Sequence, residues 1–487
     1  MTPPTPVGAR PGGSGLVVAV LALCGIVVSL MLTLVVPLVP ELPRLLNASA
    51  SDASWVITAT LLAAAVCNPV SGRLGDLYGK RRVLLWSLAV MVAGSVLCAL
   101  SDGLVPVVAG RVLQGCAIGV IPLGISIMRD ELPPERLGSA MALMSATLGV
   151  GGAIGLPLAA YVAQRADWHA LFWMAAVLGT VNLLLVAAVV PKAPPLTSGR
   201  FDVPGALGLT AGLTCLLLAI TKGGDWGWGS GLTLGLFTGA VVILLLWGYM
   251  ELRVRDPLVD LRTTVRRQVL LTNLASVVVG FGMFGMSLVL PQLLQAPTAS
   301  GYGLGLSLFE AGLCLAPGGL FMMLLSPLSA RITRRWGPKV SLMLGTVVIA
   351  AGYAATLGLM SSAIQVVIGS SVIAAGVGLA YAAMPALIMT AVPASETAAA
   401  NGLNALMRSI GTSASSAVIS VVLAHMTITV GAFSLPSLRG LQVALLITCG
   451  VATLGVLITH FIPGRPPAVG APGARSGTLA RPGGSQA

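Results

Sequence analysis

The chain alternates long apolar runs with short polar gaps from one end to the other. Fourteen runs stand out, at roughly 15–39, 54–72, 83–101, 105–127, 138–162, 170–190, 203–221, 232–250, 269–292, 306–330, 340–360, 364–390, 402–424 and 441–462. Each is long enough to cross a hydrocarbon core of about 30 Å as a helix rising about 1.5 Å per residue. Strands of a membrane barrel would alternate apolar and polar positions, and these runs do not. The pattern predicts an all-α integral membrane protein with fourteen transmembrane helices.

The gap between runs 2 and 3, "SGRLGDLYGKRRV" (Ser71 to Val83), carries unusual chemistry for its length. It recurs: "PVSGRLGDLYGKR" (Pro69 to Arg81) aligns with "PLSARITRRWGPK" (Pro327 to Lys339) at a constant offset of 258 residues. Pro69/Pro327, Ser71/Ser329, Arg73/Arg331 and Gly79/Gly337 coincide, and Asp76 stands opposite Arg334. An internal repeat at matching places between spans is what transporter halves show. It pairs spans 1–6 with spans 9–14, giving two six-helix bundles (16–190 and 269–462). Spans 7 and 8 become an inserted pair within 191–268, flanked by polar linkers with amphipathic character. Residues 1–15 and 463–487 read as tails, the second of Gly, Pro, Ala and Arg and expected to be disordered.

Composition agrees: of 487 residues 56% are hydrophobic and only 9% charged. The net charge of +12 invites a nucleic-acid reading, but its distribution argues otherwise. With the N-terminus inside, inner tails and loops hold 21 of the 27 Lys and Arg. That bias places both termini in the cytoplasm and the protein in the cell membrane, with contacts to anionic lipid and no nucleic-acid partner. The first run exceeds a signal-peptide core and has no small-residue cleavage site, so it reads as a retained span. The seven cysteines lie far apart in apolar runs and the three histidines are scattered. No metal site or cofactor is indicated.

Nucleotide motifs fail. Gly79-Lys80 has Leu74 where a Walker loop needs glycine and Arg81 where it needs a hydroxyl. Gly280, Gly282 and Gly285 form a GxGxxG, but inside a membrane span with no preceding strand. No soluble segment is large enough for an ATPase. "GRLGDLYGKRR" resembles the inner-loop signature of the major facilitator superfamily, and the resemblance runs over about 16–462. "RVLQGCAIG" (Arg111 to Gly119) is similar to that family's arginine motif in span 4, and "GVGGAIGLP" (Gly149 to Pro157) to its antiporter motif in span 5. "DWHALF", "FDVPGALGL", "DWGWGS" and "DPLVDLR" resemble the fourteen-span drug–proton antiporter branch.

Several residues are candidates on physical grounds as well. Gly72, Gly75 and Gly79 permit a tight turn and close helix approach. Asp76 at a helix end suits the positive end of a neighbouring helix, so with Arg73, Arg81, Arg331 and Gly337 it is a candidate gate; the alternative for the basic residues is topology alone. Arg111 sits in an apolar span at a cost of about 2.5–3.5 kcal/mol on insertion scales. A carboxylate, a carbonyl or water must offset that cost, and the resemblance implies proton transfer. Arg408 is similar but closer to the inner end. Gly151 and Gly155, with Pro157 bending the helix, form a small-residue stripe for packing. The resemblance implies that this stripe abuts the other half and limits leak. Glu310, one turn into span 10, is a further proton-carrier candidate, or simply solvated. Met31, Gln114, Trp173, Phe281, Phe284 and Arg408 are candidate lining for a substrate cavity; lipid-facing packing is the alternative for the aromatic residues.

One departure matters. Drug-exporting members carry an Asp and an Asn in span 1, and alignment from Trp55 puts those positions at Met31 and Val36, both apolar. The expectation is a secondary transporter, not an enzyme, that exports amphipathic organic compounds by alternating access and proton antiport, as a monomer. A lipid or lysolipid flippase, a proton-independent facilitator and a non-transporting sensor are the rivals.

Overall fold

In the computed structural model of the protein, residues 13–463 are described, apart from 36, 37, 39, 40, 194–198, 431 and 432. Val36 and nearly all of both tails lie outside the described residues. Among the described residues fourteen helices are long and apolar enough to span a membrane. They are span 1 (Gly15–Thr33), 2 (Trp55–Tyr78), 3 (Lys80–Ala99), 4 (Leu104–Glu131), 5 (Glu135–Ala159, within a helix Pro134–Arg165), 6 (His169–Val189) and 7 (Val203–Trp226). Spans 8 to 14 are Gly231–Glu251, Arg267–Gln295, Leu308–Trp336, Pro338–Thr356, Ala363–Ala391, Thr397–His425 and Leu438–His460. An antiparallel hairpin, Thr427–Val430 paired with Phe433–Pro436, is a small β addition between spans 13 and 14.

The polar gap after run 2 is shorter than expected. Span 2 stays helical to Tyr78 and span 3 begins at Lys80, leaving Gly79 alone as the turn. Gly79 has φ +96° and Gly337, its counterpart in the repeat, has φ +89°. That region disfavours a side chain, so glycine is required at both corners. The repeat therefore extends to backbone conformation. Gly72 and Gly75, placed in the gap by sequence, belong to the helix and serve packing: an added Cβ at Gly72 would lie 2.4 Å from the Ala398 carbonyl oxygen, and at Gly75 2.4 Å from Leu123.

Each half has its own apolar core. Leu21, Met31, Leu84, Met91 and Phe172 are buried together in the first; Leu290, Leu342, Tyr353, Ile373 and Leu445 in the second. Span 7 leans on both, packing Leu209, Leu213 and Leu217 against Ala65 of span 2 and Leu403 and Leu406 of span 13. Span 8 lies outside it and exposes Leu234, Val241, Leu245 and Leu246, the surface a helix shows to lipid. The linkers are pinned by caps: Asp202 accepts the Gly205 amide at 2.9 Å, Asp260 accepts that of Arg262 at 2.8 Å, and Glu251 accepts that of Val259 at 2.7 Å. These bonds satisfy helix-end and linker donors that would otherwise be orphaned. They give "FDVPGALGL" and "DPLVDLR" a structural reason.

Candidate functional site

The end of the bundle that carries Lys80, Arg81, Arg82, Arg334 and Arg335 is closed by groups that cross between the halves. Asp76, 1% exposed, accepts the backbone amides of Ala398 and Ala399 at 3.3 and 2.9 Å, at the first turn of span 13. The carboxylate meets the positive pole of a helix and two N–H groups with no intrahelical partner, the arrangement those groups favour most. Arg129, at the end of span 4, donates to the Thr397 hydroxyl and to the Met389 carbonyl at 3.2 Å. Arg334, which replaces Asp76 in the repeat, donates to the Glu135 carbonyl of span 5 at 3.3 Å. The two repeats thus reach across the seam in opposite senses, an acid to amides and a base to a carbonyl.

Two basic members of the gap motif bond within their own half. Lys80 pairs with Asp130 at 2.6 Å, and Arg81 donates to the Ala187 carbonyl at 2.6 Å. Arg73 is buried, and its Nε makes no hydrogen bond among the described residues. It faces a pocket of about 200 Å³ shared with Arg255, Asp256, Asp260 and Glu396. Burial, with the Asp260 carboxylate nearby, pushes the Glu396 carboxyl up from its usual range, while Arg73 and Arg266 oppose the shift. Arg331 is exposed, so the repeat does not carry the burial of Arg73 to its partner.

Midway through the bundle the charges are guanidiniums. Arg111, 2% exposed, donates to the carbonyls of Val56 and Met31, each at 3.2 Å, and to the Gln114 side chain at 2.7 Å. Gln114 passes the network to Ser95 at 2.8 Å. Spans 1, 2, 3 and 4 are thereby tied through two side chains, and neither this network nor any ion pair among the described residues gives Arg111 a carboxylate. In the other half Arg408 donates to Asn404 at 2.6 Å and sits 5.2 Å above the Tyr381 ring. The Tyr381 carbonyl accepts the Ser145 hydroxyl of span 5 at 3.1 Å, so Arg408 lies beside the seam.

The sequence model of the Major Facilitator Superfamily matches residues 21–416 and 272–481, nearly the whole chain. The chain belongs to the Major Facilitator Superfamily. Among its relatives, the Multidrug resistance protein B homolog of Mycobacterium tuberculosis is 30% identical over 302 residues, covering 61% of this chain and 55% of that protein. The tetracenomycin C resistance and export protein of Streptomyces glaucescens is 29% identical over 356 residues, covering 72% of this chain and 64% of that protein. The chain thus spans between about half and two thirds of the length of these relatives. The solved structure of the human organic anion transporter MFSD10 aligns with a TM-score of 0.67 over 92% of this chain and 100% of that one. At 16% identity that likeness speaks for the fold alone.

Within this superfamily fold, some residues singled out by sequence fall elsewhere than expected. Glu310 is exposed and completes a capping box: it accepts the Ser307 amide at 2.8 Å while the Ser307 hydroxyl accepts the Glu310 amide at 3.2 Å. A carboxylate in water at a helix start is a cap and not a buried proton carrier. Glu310→Gln is expected to weaken only this helix cap, with little effect on stability, and to leave the pH profile of transport unchanged. Flux measured from pH 5 to 8 checks this, and a displaced profile would return Glu310 to the coupling list. Trp173 is 45% exposed on the face of span 6 that also exposes Val177 and Leu184. Phe281 is buried in the second half, and Phe284 is half-buried. Met31 is buried and contributes its carbonyl to Arg111.

The span-5 stripe splits between two neighbours. A Cβ at Gly151 would lie 2.5 Å from that of Ser29, and one at Gly155 2.0 Å from the Thr33 hydroxyl, so both glycines press on span 1 of their own half. The contact with the other half comes from Gly149 and from Pro157, the one member of the candidate set that reaches it. A Cβ added at Gly319 would lie 2.3 Å from the Gly149 carbonyl, and one at Gly312 3.5 Å from Pro157. Sequence reasoning missed Arg129, because a basic residue at that end counts equally well toward topology.

Proposed function

We propose that the protein exports amphipathic organic compounds from the cytoplasm by alternating access, with the basic end cytoplasmic and the two six-helix units 16–190 and 269–462 rocking as bodies. The inserted segment 191–268 rides on spans 2 and 13, and the unit works as a monomer in the cell membrane. The observation that carries this reading is the closure itself: Asp76, Arg129 and Arg334 join two pseudo-equivalent halves across one seam, at one end. Contacts of this kind can be broken without disturbing either core, which is what a rocking bundle needs. The names of the relatives, multidrug resistance and tetracenomycin C export, support an organic cargo.

Of the proton-coupling candidates, Arg111 is held by carbonyls and an amide, Glu310 caps a helix and Asp76 closes the basic end. That distribution favours a proton-independent facilitator over antiport. Expression in an efflux-deficient bacterium tests the export reading. Cells carrying the protein are expected to accumulate less of at least one dye from a panel of amphipathic dyes than cells carrying the Asp76→Ala variant. Equal accumulation across the panel refutes it, and outward movement of a labelled lysolipid alone would favour the flippase.

A further inference from the structure

Every one of the fifteen carboxylates of this chain lies within about a turn of a span end or outside the spans. The deep charges are Arg111 and Arg408, about 10 and 16 Å along their helices from the nearer ends at 1.5 Å per residue. They differ in what surrounds them. Arg111 is enclosed and its fork is engaged. Arg408 has a single hydrogen bond, from Nη1 to Asn404; its Nε and Nη2 make none among the described residues and are not sealed off. A guanidinium is a planar fork of donors matched to a carboxylate or sulfonate, and it stays charged at any physiological pH. Within the membrane such a charge is costly, and those that occur mark substrate or ion pathways by default.

The surroundings of Arg408 are laid out for an amphipathic guest. Tyr381 holds the guanidinium from beneath, and its hydroxyl is tied to the Met283 sulfur at 3.1 Å. Phe284, on the same span as Met283, is half-buried. Asn404 is fixed in turn by Asn273 at 2.9 Å and Ser276 at 2.7 Å, so the one side-chain acceptor on Arg408 is neutral. No described residue gives the charge a counter-ion, and it lies beside the seam between the halves. A cationic cargo would be repelled there; an anionic one supplies the missing acceptor.

We propose that the cargo is an amphipathic organic anion whose acidic group binds the Arg408 guanidinium, and that the membrane potential drives its export without protons. The proposal rests on the exporter reading above and names its substrate class. No side chain deep in the spans needs to change protonation. One negative charge moves outward per cycle, and an inside-negative potential of 100 mV favours that direction roughly fiftyfold.

Two xanthene dyes of opposite charge, sulforhodamine B (anionic) and rhodamine 123 (cationic), decide the matter in proteoliposomes clamped with valinomycin and a potassium gradient at equal pH. Sulforhodamine B uptake is expected to exceed that of protein-free liposomes when the interior is positive, and to be unchanged when the buffers impose a pH gradient of either sign at the same clamped potential. Arg408→Gln should reduce it at least tenfold, and Arg408→Lys should restore part of it, with both variants checked for a monodisperse profile. Transport of rhodamine 123 in place of sulforhodamine B, uptake that follows an imposed pH gradient at constant potential, or an Arg408→Gln variant that transports as well as wild type overturns the proposal and leaves an exporter standing. Movement of neither dye, together with equal dye accumulation in cells, removes the exporter reading itself.

Discussion

Asp76→Ala is expected to open the basic end. The carboxylate holds two main-chain amides of span 13, and hydrogen bonds to a charged group contribute about 1.5–3 kcal/mol each before solvation of the open state is subtracted. A net loss of about 2 kcal/mol shifts the balance between closed and open forms roughly thirtyfold. Tyr78 and Trp336, exposed at the ends of spans 2 and 10, are suitable sites for spin labels in a background without the native cysteines. Wild type should give a narrow, short distance distribution, and Asp76→Ala a longer one with transport reduced at least tenfold. Asp76→Asn keeps an acceptor oxygen without the charge and should fall between. Unchanged distances in Asp76→Ala would mean that Arg129, Arg334 and packing close this end unaided.

The second large effect is at Arg111. Arg111→Leu strands the Met31 carbonyl, takes one donor from that of Val56, which keeps the Thr60 hydroxyl at 2.9 Å, and frees Gln114, all in the core of the first half. Unsatisfied buried acceptors and the void left behind cost about 3–5 kcal/mol together. Thermal unfolding in detergent should show a clearly lowered Tm, accompanied by loss of flux. Arg111→Lys should recover little of either, because one ammonium cannot reproduce the planar fork that bonds Met31 and Val56 from different nitrogens. The opposite pattern, flux abolished with Tm unchanged, would place Arg111 in the proton chemistry that the resemblance implies instead of in the scaffold.

The count of spans and the repeat were legible because both are written in local composition. Twenty apolar residues in a row have few alternatives, and a glycine forced to positive φ at Gly79 and again at Gly337 leaves the same mark in both halves. Asp76 was legible for a related reason: a carboxylate with no topological purpose at a helix end suggests a helix pole. Its partners were not, since backbone amides have no letter in the sequence and these lie more than 300 positions away. Trp173 illustrates another limit, as the lipid and cavity faces of an apolar helix carry the same residue types. Glu310 could have been read better, because Ser307-x-x-Glu310 before an apolar run is a capping-box pattern.

The partner of Asp76 is main chain, and this bears on how the protein can change. Ala398 and Ala399 contribute N–H groups that nearly every amino acid carries, so exchanging one small residue for another there keeps the donors in place. Only proline deletes such a donor. The lock on this end is therefore guarded on one side by a single carboxylate and on the other by the peptide bond itself. Sequences related to this one can drift freely along the face of span 13 that meets it, provided the residues stay small enough to clear Gly72. A search for the matching half of the lock by correlated substitutions would find no signal.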